Sequence, residues 1–134
     1  MTFTREDSHQ ETYDAGLAVR REVLGDAYVD RSLNNANDFN SALQDLVTEY
    51  CWGAIWTREG LERKERSIVN LTMMTALNRP AELALHVRGA LRNGLSRDQI
   101  REVLLQCAVY AGIPAAIESF KVAQSIFDEE DANG

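Results

Sequence analysis

A few side chains in this sequence have the types and spacing to work on a small acid. His86 stands in "PAELALHVRGALRNG", sharing a helical face with Leu83, Val87 and Ala90, and Glu82 precedes it by one turn. An imidazole titrates near neutrality, so it can deliver a proton or hydrogen-bond a developing oxyanion. A carboxylate one turn away can fix the ring tautomer and raise the histidine pKa. The same pattern also fits a half-buried structural histidine bonded to a carbonyl. Arg58 and Arg66 bracket the turn around "TREGLER" and could grip carboxylates with forked guanidinium groups, or could simply be solvated surface arginines. Trp52 and Trp56 are one turn apart, with Gly53 allowing close approach; they could wall a pocket for a flat ring, or be core. Asn70 is a lone amide in the most apolar stretch, a contact between subunits or a pocket wall. Gln99, Glu102 and Gln106 form a polar stripe at helical spacings.

The elements that position these groups read as helices throughout. Two prolines and eight glycines in 134 residues leave few breaks, and no segment alternates like a strand. Asp7 to about Leu24 is a helix with Tyr13, Leu17, Arg20, Val23 and Leu24 at helical spacing, ended by Gly25. "DAYVDRSLNNAN" is a short helical turn and a polar connection. Asn37 or Asp38 caps a helix through "FNSALQDLVTEYCWGAIW", with Phe39, Leu43, Leu46, Val47, Tyr50 and Ile55 expected inward. Glu62 to Asn78 follows, and its "SIVNLTMMTAL" is apolar nearly all round, which predicts burial on every side, against another subunit in so short a chain. Pro80 opens the histidine helix, which stops at Asn93-Gly94. Ser96 and Gln99 form a capping box, Gly112 ends that helix, and Pro114 starts the last. The first residues and the closing "DEEDANG" are polar and expected to fray.

Composition narrows the function. Hydrophobic residues make up 45%, enough for a single folded domain over residues 1–134. A net charge of −7 argues against a nucleic-acid surface. No apolar run approaches the roughly 20 residues of a membrane span, and "MTFTREDSHQ" lacks the apolar core of a signal peptide. Cys51 and Cys107 are far apart with no C-x-x-C, so both are expected as small buried hydrophobes in a reducing cytoplasm. No P-loop, dinucleotide-binding glycine pattern, Ser-His-Asp order or metal-ligand cluster is present, so chemistry here would run on side chains without a metal or cofactor.

The stretches "YDAGLAVRREVLGDAYVDRSL", "DFNSALQDLVTEYCWGAIWTREGL" and "LHVRGALRNGLSRDQIREVLLQCAVYAGIPAA" resemble the γ-carboxymuconolactone decarboxylase family, from about Tyr13 to Phe127. The resemblance implies an all-α bundle of about six to seven helices, related to alkylhydroperoxidase AhpD and assembled as a homo-oligomer, typically a trimer or hexamer. The peroxidase branch carries C-x-x-C-x-x-x-H here; the matching positions are Arg79, Glu82 and His86, so only the histidine remains and thiol peroxidase chemistry has no dithiol. The implied reaction is loss of carbon dioxide from 4-carboxymuconolactone, a lactone dicarboxylate, to give the enol-lactone of 3-oxoadipate in protocatechuate degradation. His86 is the position carried over from the family motif, as acid or oxyanion donor. Chemistry then suggests Glu82 to orient it, Arg58 and Arg66 to bind carboxylate, and Trp52 and Trp56 to offer a less polar seat for the leaving group. Lys64 and Glu65 stand where His-Thr is expected, and Lys121 where a histidine is usual, which leaves the substrate open. The alternatives are a decarboxylase of the same superfamily acting on a related lactone or keto acid, and a non-catalytic helical oligomer.

Overall fold

The computed structural model describes residues 5–134. Among these the chain is helical and folds as two compact units, Met1–Leu61 and Glu62–Gly134. The open residues expected at the very start lie outside the described ones.

In the N-terminal unit, α1 (Arg5–Leu24) ends at Gly25, and α2 (Asp26–Asn34) is a full helix rather than a single turn. Asn37 then folds a tight polar turn: its side-chain oxygen accepts the backbone N–H groups of Phe39 and Asn40, and the Asn40 side-chain oxygen accepts that of Asn37. Beyond it, α3 (Ser41–Leu46) runs directly into a π-helical segment, Val47–Ile55. That segment packs along α1 at a glycine crossing. A β-carbon on Gly16 would lie 2.2 Å from the Thr48 carbonyl oxygen, and one on Gly53 would lie 2.3 Å from that of Thr12. Only hydrogen fits there, so the two backbones meet.

This crossing overturns the face expected for residues 39–55. The inward residues are Thr48, Trp52, Gly53 and Trp56, whereas Phe39 is 94% exposed, Tyr50 is 63% exposed, and Leu43, Leu46 and Ile55 are exposed as well. Two physical reasons combine. The crossing selects the face that carries glycine and a small threonine, and the wider π turn breaks the 3.6-residue ruler that would have aligned the larger side chains. Cys51 falls on the outer side and is exposed, contrary to expectation, while Cys107 is buried.

The C-terminal unit is a four-helix bundle of α4 (Arg63–Ala76), α5 (Pro80–Arg92), α6 (Arg97–Ala111) and α7 (Ile113–Asn133). Helix α4 packs on α5 and α6, and α7 on α5 and α6. Each turn carries its own signal. The Glu65 carboxylate accepts the Glu62 N–H at 2.9 Å, so this acidic departure from the family pattern serves as a helix cap. Asn78 adopts φ 57°, which asparagine tolerates, and Pro80 follows in the first turn of α5. Ser96 and Gln99 cap α6 reciprocally, at 3.0 and 2.9 Å. Gly112 takes φ 114°, where a side chain would be strained, and lets α6 fold back into α7.

Leu71, Leu83, Val87, Ile100, Leu104 and Ile126 build the centre of this bundle. The apolar helix α4 is buried on one side only, through Ser67, Leu71 and Thr75. Ile68, Val69, Met73 and Leu77 are exposed in the single chain, because a helix in a four-helix bundle has one inward stripe. The polar end of α7 stays helical to Asn133 instead of opening. Arg97 holds it by bonding both carboxylate oxygens of Asp131 at 2.7 and 3.2 Å and lying 4.8 Å over the Phe127 ring.

Candidate active site

The histidine helix α5 lies against α4, and this pairing builds the candidate site. Pro80 and the Asn93-Gly94 stop fix the length of α5, while Leu83, Val87 and Ala90 hold its inner face in the core. His86 is left half-buried at the edge of that face. Across the helix pair, the Asn70 side-chain nitrogen is 3.4 Å from His86 Nδ1. The histidine is thus half-buried, with its Nδ1 edge facing the amide of Asn70.

Burial lowers the His86 pKa from its ordinary 6.5, and the nearby Glu82 charge pulls the other way more weakly. The expected rise is therefore corrected: Glu82 acts in the anticipated direction, but desolvation of the imidazolium outweighs it. At neutral pH His86 is an uncharged imidazole with one N–H to give.

The other expected site residues are distributed between the units. In the C-terminal unit, Glu82 is exposed on α5, and Arg66 is half-buried on α4 one turn before Asn70, on the same face by spacing. In the N-terminal unit, Arg58 is exposed in the turn after the π segment, with its backbone N–H bonded to the Ile55 carbonyl. Trp52 and Trp56 are both buried there, with ring centroids 4.8 Å apart and planes tilted by 30°. The polar stripe on α6 divides: Gln99 caps the helix, Glu102 pairs with Arg101, and Gln106 lines an apolar hollow of about 490 Å³ with Ile68, Thr72, Cys107 and Tyr110. That hollow does not include His86 among its lining residues. Among the described residues, no three His, Cys, Asp or Glu side chains gather as a metal site, and no helix is long and apolar enough to cross a membrane.

Two groups gain significance only in the structure. Asn70 was legible as an isolated amide, but its pairing with His86 depends on the register of α4 against α5. Arg20, one of the helically spaced residues of α1, is only 4% exposed, and its guanidinium bonds Gln44 and Thr48 oxygens at 3.2 Å each, both neutral. Its Nε is buried without a hydrogen-bond partner. The N-terminal unit also pairs His9 with Glu49, linking α1 to the π segment.

The fold and this site define an all-helical bundle protein that holds an uncharged imidazole between two helices. The model of the carboxymuconolactone decarboxylase family matches residues 41–125. The chain is 41% identical over 120 residues to 4-carboxymuconolactone decarboxylase of Acinetobacter baylyi, covering 90% of each chain. It is also 41% identical over 126 residues to nitrosuccinic acid decarboxylase of Metarhizium robertsii, covering 94% of this chain and 88% of that one. A 4-carboxymuconolactone decarboxylase from Pseudomonas putida is 52% identical over 44 residues, 33% of this chain and 92% of that sequence. This chain belongs to the carboxymuconolactone decarboxylase family.

Proposed function

We propose that this protein is a cofactor-independent carboxy-lyase that converts 4-carboxymuconolactone to the enol-lactone of 3-oxoadipate, a step of protocatechuate degradation in the cytoplasm. The observation that carries this reading is the likeness to 4-carboxymuconolactone decarboxylase over 90% of both chains. The chemistry fits side chains alone. The departing carboxylate sits on a ring carbon conjugated through the double bond to the lactone carbonyl. As the C–C bond breaks, its electron pair spreads over the ring onto the carbonyl oxygen, and a proton then adds beside the carbonyl. The substrate is its own electron sink, so the protein has to orient it, stabilise the oxyanion and supply one proton.

His86 is assigned to the oxyanion. A neutral imidazole N–H is a poor acid but a good hydrogen-bond donor, and the lowered pKa keeps it neutral. Arg66, on the α4 face that also carries Asn70, is assigned to a substrate carboxylate; Arg58, in the other unit, keeps only the carboxylate-binding role that its chemistry suggests. Glu82 tunes the charge near the imidazole, while Trp52 and Trp56 are buried against each other in the N-terminal unit, the core alternative of the sequence reading. The whole chain serves as one catalytic domain in a homo-hexamer. The apolar side chains exposed on α3, α4 and α6, including Tyr110 at 86%, support assembly of this kind.

The relative named for nitrosuccinic acid favours a second reading, in which the same site decarboxylates another acid bearing an electron-withdrawing group. One assay separates the readings. Purified protein should release carbon dioxide from enzymatically generated 4-carboxymuconolactone, with turnover unchanged after dialysis against a chelator. Release from nitrosuccinate alone would select the second reading, release from neither would favour a non-catalytic oligomer, and loss of activity with the chelator would reveal a metal requirement.

A further inference from the structure

Asn70, read from sequence as a subunit contact or a pocket wall, lies against the imidazole. It sits on α4, half-buried, in a stretch where isoleucine, valine, leucine and methionine dominate. An amide in such surroundings is costly to bury unless it is bonded. Its NH2 group lies 3.4 Å from His86 Nδ1. With the amide nitrogen as donor, Nδ1 is the acceptor and so the unprotonated nitrogen of the ring. The single proton of the neutral imidazole is then on Nε2.

We propose that Asn70 is a positioning residue that fixes His86 as the Nε2–H tautomer and so determines which edge of the ring hydrogen-bonds the oxyanion. This rests on the decarboxylase reading above for its catalytic half, while the tautomer itself is a property of the protein without substrate. Burial of the ring works in the same direction, because it disfavours the doubly protonated form that could not accept from Asn70. Arg66 is one turn earlier on the same helix face, so α4 presents a carboxylate-binding fork and a tautomer-setting amide in succession.

The test uses the intact protein with 15N-labelled histidine. In the wild type, the imine-type resonance of His86 should belong to Nδ1 and the protonated, pyrrole-type resonance to Nε2. Asn70→Asp keeps the shape but offers only an acceptor, so it should move the ring proton to Nδ1 and lower kcat by about a hundredfold, the scale of losing one oxyanion donor. Asn70→Ser, which retains a short donor, should keep the Nε2–H tautomer and recover part of the rate. An Nδ1–H tautomer in the wild type would overturn the proposal without any variant. So would an Asn70→Asp protein that folds and keeps both the original tautomer and its turnover. Because the resonances are read without substrate, a correct tautomer together with no carbon dioxide release supports the role of Asn70 and counts against the substrate assignment instead.

Discussion

His86→Ala should lower kcat by about a hundredfold or more, the scale set by losing one oxyanion hydrogen-bond donor, while circular dichroism and assembly stay as in the wild type. The fold should survive because the core beside the ring is held by Leu83, Val87 and Ala90, which the substitution does not touch. The structural loss includes the hydrogen bond from Asn70, a contribution of about 1 kcal/mol. His86→Gln discriminates between roles. Glutamine keeps an N–H donor but does not titrate, so it should recover part of the rate if His86 stabilises the oxyanion and almost none if it is the acid.

The pH profile gives an independent reading of the same residue. The folded-state pKa of His86 lies below its ordinary 6.5, so between those two values the unfolded chain binds more protons than the folded one. This contribution to stability is present above pH 6.5 and is lost as pH falls through the folded-state pKa. Subtracting the stability profile of His86→Gln from that of the wild type should isolate this contribution. A neutral donor predicts kcat that is level above pH 6.5, whereas an imidazolium acid predicts kcat that falls as pH rises. A well-folded His86→Ala protein with near-normal turnover would remove the histidine from the mechanism.

Gly16→Ala should be the most damaging small substitution in the N-terminal unit. The added carbon would lie 2.2 Å from the Thr48 carbonyl oxygen and 2.5 Å from the Gly53 backbone nitrogen. Both are backbone atoms, so no side chain can swing aside and the crossing has to separate. Overpacking of this kind costs about 3 kcal/mol, at the upper end of the usual range because the obstacle is rigid. Alanine's better helix propensity returns about 1 kcal/mol, leaving a net loss of about 2 kcal/mol. Gly60→Ala is the control, since nothing lies within 4 Å of its added carbon. Urea unfolding should show a lower midpoint for the Gly16 variant and little change for the Gly60 variant. Equal midpoints would show that the crossing is not a rigid contact.

The contrast between the two units explains what could be read without coordinates. Pro80, the Ser96–Gln99 box, Gly112 and Pro114 act over one helical turn, so their meaning survives in the linear sequence, and each stands where it was expected. The His86 helix was legible for the same reason. Residues 39–55 were not, because the π winding and the Gly16–Gly53 crossing arise between segments distant in sequence. The glycines were visible, but not their meeting. For α4, apolar composition correctly marked a helix with more greasy surface than one chain covers, yet it did not show that Ser67 and Thr75 would face inward while Val69 and Met73 faced out. At the site, spacing brought Glu82 to His86 but could not weigh its charge against desolvation, nor could it pair Asn70 with the ring. Glu65 looked like a departure affecting substrate choice, and its carboxylate proves to be committed to a helix cap.

The connected apolar cluster draws its members from Leu71 to Ile126, all within the C-terminal unit. The N-terminal unit buries Val19, Val23, Leu24 and Val29 beside a tilted tryptophan pair, a glycine crossing and a guanidinium bonded to neutral oxygens, but α3 buries no residue. Local opening is easiest where few apolar contacts must break. Amide hydrogens of α3 should therefore exchange with solvent deuterium well before those around Leu83, Val87 and Leu104. The fold carries a built-in gradient of protection, slow around the helix that bears the imidazole and fast in the segment whose apolar side chains face outward.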